Sequence, residues 1–277
     1  MSASMLGTIG KFLCAAVVLA SSALFTASSA SAEDASGCQN PPAKKVLDTR
    51  WPINIGLLAD QLVVYRCTDY VKDVADAFVD ARTWVQQRAP QVEKAAVVFD
   101  IDETSLSNWE VLYHNHFAYF GDGACDLSVT APCGEREWDL SARAVALQPT
   151  LEFFRLIKTL SDKNGDRIAI FFVTGRYEDP SERIATQWNL RKEGYDSWER
   201  LYMRPKSTSN DPVSKYKTDS RKDIEKKRTI IANVGDQYSD LIGDPDNDYA
   251  ERCFKIPNPF YFIGPPLPDA GLRCLSH

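Results

Sequence analysis

Apolar residues along the chain recur with two different spacings. Residues 57–88 carry them at helical spacing, including Val71, Val74 and Phe78, which predicts helices that face a core. Farther along the chain, short apolar runs typical of β-strands cover residues 95–99, 167–173, 201–203 and 229–234. Helical patterns separate these runs. Because strands alternate with helices, we expect an α/β fold in which helices flank a parallel sheet.

Two of the helical patterns have recognisable boundaries. Pro149 stands at the start of one, which ends near Gly165. The other follows Asp179, a residue type that caps helix N-termini, and ends near Gly194. Both helices are therefore expected to connect predicted strands.

Residues 109–148 interrupt the alternation of strands and helices. This segment is rich in aromatic residues and contains two cysteines, Cys125 and Cys133. We expect a small cap insertion over one end of the sheet. The aromatic side chains favour packing under the insertion, and a platform for stacking a nucleotide base is the alternative. They are Trp109, Tyr113, Phe117, Tyr119 and Trp138.

Residues 1–32 have the pattern of a secretory signal peptide. Lys11 precedes an apolar run over residues 12–25, and a small-residue cleavage site ends at Ala32. The run is shorter than the roughly 20 residues that a membrane-spanning helix needs. We therefore expect cleavage, one domain over residues 33–277, no membrane attachment, and a secreted or periplasmic location.

The net charge limits the classes of partner, and the cysteine content indicates the redox compartment. The net charge is −6, and loss of Lys11 with the signal peptide would make it −7, so a broad basic face for nucleic acid is not expected. Loss of the signal peptide would also remove Cys14, which leaves six of the seven cysteines. An exported chain with an even number of cysteines is expected to form disulfides. Zinc is disfavoured because the sequence contains no CxxC pair. Short loops favour pairing Cys125 with Cys133 and Cys253 with Cys274, which leaves Cys38 with Cys67.

Polar residues follow three of the strand-like runs. They are Asp100, Asp102 and Thr104 after the first, Thr174, Gly175 and Arg176 after the second, and Gly235, Asp236 and Asp240 after the last. Because ligands bind at the carboxyl ends of strands in open α/β sheets, we expect one shared crevice. Several carboxylates can share a small site only if a cation or a proton offsets their repulsion. Mg²⁺ suits such oxygen ligands together with a substrate phosphate.

The spacing of the first two aspartates indicates a division of labour. Asp100 could serve as metal ligand and nucleophile. Asp102 lies two positions on, hence on the same side of an extended chain, and could protonate a leaving oxygen. A hydroxyl such as that of Thr174 and a lysine would hold the phosphoryl oxygens.

Four segments together resemble one known family. They are FDIDETSLSN, FFVTGR, NVGDQYSDL and the closing FKIPNPFYFIG. They are similar to the first, second and fourth motifs and the tail of haloacid dehalogenase-like (HAD) hydrolases of subfamily IIIB. This group of acid phosphatases includes plant vegetative storage proteins and bacterial class C enzymes. The resemblance covers roughly residues 45–265 and implies a HAD-like Rossmannoid sheet.

The resemblance also implies roles for individual residues. Asp100 would be the nucleophile that forms an aspartyl-phosphate, and Asp102 the general acid and then the general base. The metal ligands would be Asp100, Asp102 through its backbone carbonyl, and Asp236, with Asp240 in support. Thr174 and Gly175 would bind phosphate.

The third motif of this family is a single lysine, and several are candidates. We select Lys217, because YKTDSR, with Arg221 one turn later in a supporting role, is similar to the family's pattern. A solvated charged helix is the alternative interpretation. The other candidates are Lys206, Lys215 and Lys222.

Taken together, the sequence predicts a secreted, Mg²⁺-dependent acid phosphatase that hydrolyses small phosphate monoesters, with nucleotides among the candidate substrates. A phosphotransferase of the same superfamily is the alternative within the enzymes. The alternative without catalysis is a storage or binding protein that has kept the fold. Intact Asp100, Asp102 and Asp236 would be an unusual set for an inert chain.

Overall fold

The computed structural model describes residues 35–47, 50–243, 247–266 and 274. The expected signal peptide over residues 1–32 lies outside this part of the chain. Within it, no helix has the length and the apolar composition to cross a membrane.

The described residues form eight α-helices, two short 3₁₀ helices (Ala89–Gln91 and Lys206–Thr208) and seven strands. The α-helices are α1 (Ile55–Thr68), α2 (Tyr70–Arg88), α3 (Trp109–His114), α4 (Glu135–Ser141), α5 (Gln148–Thr159), α6 (Pro180–Lys192), α7 (Val213–Glu225) and α8 (Tyr238–Leu241). The strands are β1 (Ala95–Phe99), β2 (Leu106–Ser107), β3 (Val145–Ala146), β4 (Ala169–Tyr177), β5 (Arg200–Arg204), β6 (Thr229–Gly235) and β7 (Cys253–Lys255).

Five of the strands form one sheet in the order β5, β4, β1, β6, β7. Every neighbouring pair in this sheet is parallel. β1 lies at the centre, and all of its residues are buried. A strand that is covered on both faces has a continuous apolar sequence rather than an alternating one, as residues 95–99 do. The predicted α/β fold with a parallel sheet flanked by helices is confirmed.

Alternate side chains of β1 pack against different helices. Val97 and Phe99 belong to a cluster that includes side chains of α2 and α5, and the ring of Phe99 lies 5.8 Å from that of Phe153. Val98 belongs to a second cluster with Ile224 of α7. Because side chains alternate across a strand, helices on both faces fix the position at which β1 ends.

Two details of the sheet differ from the prediction. β4 continues past Val173, since its pairing with β5 shifts register there and resumes at Tyr177. Residues 174–176, which we expected to follow this strand, therefore lie within it. The edge strand β7 was not predicted, because its three residues are too few to show a pattern.

The segment after β1 forms a small insertion that contains α3 and α4. β2 and β3 pair antiparallel at its two ends, with Leu106 opposite Ala146. The structure contains the three predicted disulfides, the two that short loops favour and the one that remains. They join Cys38 to Cys67, Cys125 to Cys133 and Cys253 to Cys274. One of them lies inside the insertion.

Candidate active site

The carboxyl ends of β1 and β6 lie side by side, and an aspartate follows each. The backbone N–H of Asp100 donates to the carbonyl oxygen of Val234 at 3.0 Å. Asp236 follows Gly235, where an added Cβ atom would lie 2.4 Å from the Cβ of Asp240. A glycine at this position therefore lets α8 approach the strand end closely, which brings the side chain of Asp240 to the other two aspartates.

Three carboxylates meet at this edge of the sheet. Oxygens of Asp100, Asp236 and Asp240 all lie within 4.8 Å of one another, and the three residues are buried. Burial raises the pKa of Asp100 well above its ordinary value, and the carboxylates of Asp240 and Asp236 raise it further, against the opposing charge of Lys217. Burial and the Asp240 carboxylate likewise raise the pKa of Asp236. The ionised set therefore requires positive charge.

Lys217 of α7 supplies part of that charge. Its Nζ donates to Oδ1 of Asp100 at 2.6 Å and to Oδ1 of Asp240 at 2.5 Å. Burial alone would lower the pKa of this lysine, but the two carboxylates hold it above its ordinary value. Of the other candidates for the third motif, Lys206 pairs with Asp179 at 3.2 Å and Lys215 with Asp219 at 3.0 Å. The structure thus places Lys217, and neither of those two, beside Asp100.

The donor set fits a hard divalent cation such as Mg²⁺. Three buried carboxylates carry more negative charge than one lysine offsets, and oxygen atoms are the ligands that Mg²⁺ prefers. The carboxylate of Asp236 accepts hydrogen bonds from Thr104 at 2.8 Å, from Gln237 at 2.8 Å and from Asn258 at 2.7 Å. These bonds fix its orientation. The carboxylate of Asp102 is not among the three, so a metal contact through its backbone carbonyl stays a prediction.

Arg221 stabilises the turn that carries Asp240. Its guanidinium donates to the backbone carbonyl oxygens of Asp240, Ile242 and Asp248. Burial lowers its pKa to about 10. The N–H of Gln237 donates to Oδ2 of Asp240 at 2.8 Å, which completes a capping box at the start of α8. The predicted supporting role of Arg221 therefore corresponds to contacts with the backbone.

Asp102 faces a different partner from Asp100. Nη2 of Arg176 donates to its Oδ1 at 2.6 Å, and Nε lies 3.1 Å from its Oδ2. Nδ2 of Asn108 donates to Oδ1 at 2.9 Å. Burial alone would raise the pKa of Asp102, but the Arg176 charge, with the hydrogen bonds of Arg176 and Asn108, brings it below its ordinary value. Its side chain is 21% exposed, so it can still reach a ligand.

Thr174 and Gly175 lie at the same edge, on β4. The Thr174 hydroxyl accepts the N–H of Arg176 at 3.1 Å and lies 3.4 Å from Oδ2 of Asp102. An added Cβ atom at Gly175 would lie 3.2 Å from Cγ2 of Val213, at the start of α7. Glycine thus allows the close approach of β4 and α7. The phosphate-binding role of Thr174 and Gly175 remains a prediction.

Sequence reasoning did not assign roles to several polar residues at this site. Arg176 could have been found, since it lies two positions after Thr174 and therefore on the same side of an extended strand. Asn108 is the last residue of the first motif, so it could also have been identified from the sequence. Asp139 had no signal, because its contact with Arg176, at 3.0 Å, depends on how the insertion folds.

The chain is similar in sequence to one protein family and to several individual plant proteins. A model of the HAD superfamily, subfamily IIIB (acid phosphatase), matches residues 27–264. Acid phosphatase 1 of Solanum lycopersicum is 30% identical over 209 residues, which cover 71% of this chain and 74% of that protein. The stem 28 kDa glycoprotein of Glycine max is 35% identical over 172 residues, covering 61% of each chain. Vegetative storage protein 2 of Arabidopsis thaliana is 37% identical over 168 residues, covering 60% of this chain and 56% of that protein.

One of these relatives is named as an enzyme, and the other two are named as a stem protein and a storage protein. The alignments with the stem and storage proteins span only about three fifths of their lengths. The family match covers most of the chain, and the resemblance seen in the motifs is confirmed. The chain therefore belongs to the HAD superfamily, subfamily IIIB, the acid phosphatases.

Proposed function

We propose that this protein is an exported, Mg²⁺-dependent acid phosphatase that hydrolyses small phosphate monoesters through an aspartyl-phosphate on Asp100. The observation that carries the proposal is the position of Lys217, whose Nζ lies 2.6 Å from Oδ1 of Asp100 at the buried carboxylate cluster. A buried lysine paired with a strand-end aspartate can neutralise both that aspartate and a phosphoryl group.

In the first step, an oxygen of the Asp100 carboxylate forms a bond to phosphorus. The bond between phosphorus and the leaving oxygen breaks, and that oxygen takes the proton of the Asp102 carboxyl group. The alcohol departs, and phosphate remains as an acyl phosphate on Asp100. Lys217 and the hydroxyl of Thr174 would bind the oxygens over which charge spreads.

In the second step, Asp102 is ionised and can act as a base. It takes a proton from water while the water oxygen bonds to phosphorus, and the bond from phosphorus to Asp100 breaks. Inorganic phosphate leaves, and both aspartates return to their starting states. The same carboxyl group thus serves as acid and then as base, and the proton that it gives up in the first step is regained in the second.

Mg²⁺ would be held by the carboxylates of Asp100 and Asp236 and by the backbone carbonyl of Asp102, with Asp240 in support. When bound, the ion would neutralise charge on the phosphoryl oxygens and orient the ester for in-line attack. Asp236 is well suited to this because three hydrogen bonds hold its carboxylate.

Export is supported by the three disulfides, which persist in oxidising compartments. We propose that residues 1–32 are removed and that residues 33–277 form the mature domain, with the cap insertion at residues 109–148. Sequencing the amino terminus of the secreted protein tests this, and a mature chain that begins at Met1 would overturn it.

A storage or binding protein without turnover is the second candidate, because several relatives are named as stem or storage proteins. The intact set of Asp100, Asp102, Lys217 and Asp236 favours the enzyme. The test is phosphate release from a panel of nucleotides, sugar phosphates and aryl phosphates, with Mg²⁺ and with EDTA. We expect release that EDTA abolishes. No release from any ester would favour the storage protein, and transfer to an added alcohol in place of water would favour the phosphotransferase.

A further inference from the structure

Two adjacent residues of α4, in the insertion, are buried, and each carries a polar group. Trp138 is 1% exposed and Asp139 is 6% exposed. They lie more than thirty positions from Asp102 in the sequence, yet each reaches it through a single intermediate side chain. The two intermediates are Asn108 and Arg176.

The first connection runs through an amide. The indole Nε1–H of Trp138 donates to Oδ1 of Asn108 at 2.8 Å, and Nδ2 of Asn108 donates to Oδ1 of Asp102 at 2.9 Å. An indole N–H can only donate, so it fixes the amide oxygen of Asn108 on its own side. The NH₂ group of Asn108 must then face Asp102. Trp138 therefore decides which end of this amide the general acid meets.

The second connection runs through a guanidinium. Nη2 of Arg176 lies 3.0 Å from Oδ1 of Asp139 and 2.6 Å from Oδ1 of Asp102. Nη1 of Arg176 donates to the hydroxyl of Thr186 at 3.3 Å. Asp139 and Thr186 thus hold the two terminal nitrogens of the planar fork, one each. Because a guanidinium binds in a fixed plane, these contacts set the angle at which it meets Asp102.

Both connections end on the same oxygen, Oδ1 of Asp102. Nε of Arg176 lies about equally far from both oxygens, 3.2 Å from Oδ1 and 3.1 Å from Oδ2. The remaining contact of Oδ2 is 3.4 Å, to the hydroxyl of Thr174, so Oδ2 has none of the two shorter contacts made by Oδ1. One oxygen is therefore anchored, and the other is the freer of the two to meet a leaving group.

We infer that Trp138 and Asp139 of the insertion are positioning residues for phosphate-ester cleavage, and that they hold Asp102 so that Oδ2 protonates the leaving oxygen. This inference rests on the proposed role of Asp102 as general acid. It gives the insertion a part in the chemical step.

The consequence can be measured through the leaving group. An ester with a strongly acidic leaving group, such as 4-nitrophenyl phosphate, departs without a proton, whereas an alkyl phosphate needs one. General acid catalysis is worth about 10²- to 10⁴-fold where it is needed. A change that misplaces Asp102 should therefore slow the alkyl ester much more than the nitrophenyl ester. A change that only loosens the fold should slow both alike.

The experiment compares kcat/KM for the two esters in matched variants of the full chain, with a thermal melt of each, because kcat/KM does not include hydrolysis of the shared aspartyl-phosphate. Asp102→Asn calibrates the loss of the acid. Trp138→Phe keeps the ring but removes the N–H, and Asp139→Ala removes the acceptor for Arg176. Asp139→Asn retains an acceptor oxygen. Leu140→Ala, on the same helix, is the control for lost packing.

We expect Trp138→Phe and Asp139→Ala to lose at least about tenfold more activity on the alkyl ester than on the nitrophenyl ester, in the direction of Asp102→Asn. Asp139→Asn should recover most of the difference, and Leu140→Ala should show none. If Asp139→Ala does not fold, the comparison of the two esters in Trp138→Phe tests the inference by itself. Equal losses on both esters in Trp138→Phe, with a clear difference in Asp102→Asn, would overturn the inference. No difference in Asp102→Asn would instead overturn the proposed general acid.

Discussion

Nζ of Lys217 lies 2.6 Å from Oδ1 of Asp100, and both side chains are buried. The same ammonium group lies 2.5 Å from Asp240, so one cation links the candidate nucleophile to the carboxylate cluster. The pairing joins the end of β1 to α7 across more than a hundred residues of sequence. An ammonium in this position would neutralise charge where phosphate must approach an anionic nucleophile, so its removal tests the proposed mechanism.

Lys217→Ala should lower kcat/KM by about 10²- to 10³-fold, since one preorganised group that stabilises transition-state charge is worth about that much. The measurement is steady-state hydrolysis of one aryl phosphate with Mg²⁺. Lys215→Ala is the matched control, because Lys215 lies on the same helix and pairs with exposed Asp219. If Lys215→Ala loses activity and Lys217→Ala does not, the assignment of the third motif is wrong.

Arg176→Gln should move the alkaline limb of the kcat/KM–pH profile, which reports the free enzyme, to higher pH. A general acid must be protonated to act, so activity falls as pH rises through its pKa. Burial raises the pKa of Asp102, but Arg176 brings it below the ordinary value, which places that fall at acidic pH. Without the guanidinium, the pKa should rise and the acid form should persist to higher pH. An alkaline limb that stays in place or moves to lower pH would contradict this account of how Arg176 acts on Asp102.

Mg²⁺ should stabilise the folded protein through the carboxylate cluster. At free Mg²⁺ about a hundred times its dissociation constant, binding adds about 2.7 kcal/mol to the free energy of unfolding. Differential scanning calorimetry with Mg²⁺ and with EDTA measures the rise in Tm. Asp236→Asn should abolish the rise, whereas Asp219→Asn, which changes an exposed aspartate, should preserve it. A rise of equal size in Asp236→Asn would place the ion elsewhere.

Replacing Cys38 and Cys67 together by serine should lower the free energy of unfolding by about 2–4 kcal/mol, because the disulfide restricts the unfolded chain. Urea denaturation measures the change. Catalysis should persist in the folded variant, since this bridge joins the segment before α1 to α1 itself. Mass spectrometry of non-reduced peptides checks all three bridges, and a free thiol at Cys125 in the exported protein would contradict the structure.

The sequence predicts the sheet and the strand-end aspartates because both follow from local patterns. A doubly covered strand is a continuous apolar run, and polar residues at its end stand out against it. Asp100 and Asp236 are therefore readable without a structure. The extension of β4 past Val173 is not, because it depends on a register shift against β5.

The partners of Asp102 show which features of the site local sequence patterns do not predict. Asn108 and Arg176 lie inside recognised motifs, and only their contacts were missing. Asp139 lies in the insertion, and its distance from Arg176 is set by the packing of α4 rather than by spacing in the sequence. The choice of Lys217 among neighbouring lysines came from the resemblance, since a lysine-rich helix gives no pattern that singles one out.

The covalent intermediate can be observed directly. Borohydride reduces an acyl phosphate on an aspartate to homoserine, which peptide mass spectrometry distinguishes from aspartate. The protein is mixed with a phosphate ester and Mg²⁺, quenched during turnover, reduced and digested, and Asp100→Asn serves as the control. The account predicts homoserine at position 100. In Asp102→Asn, the yield of homoserine divided by the rate of turnover should be higher than in the unchanged protein. Asp100→Asn should show no turnover. Undiminished phosphate release from Asp100→Asn, or homoserine at another aspartate, would contradict it.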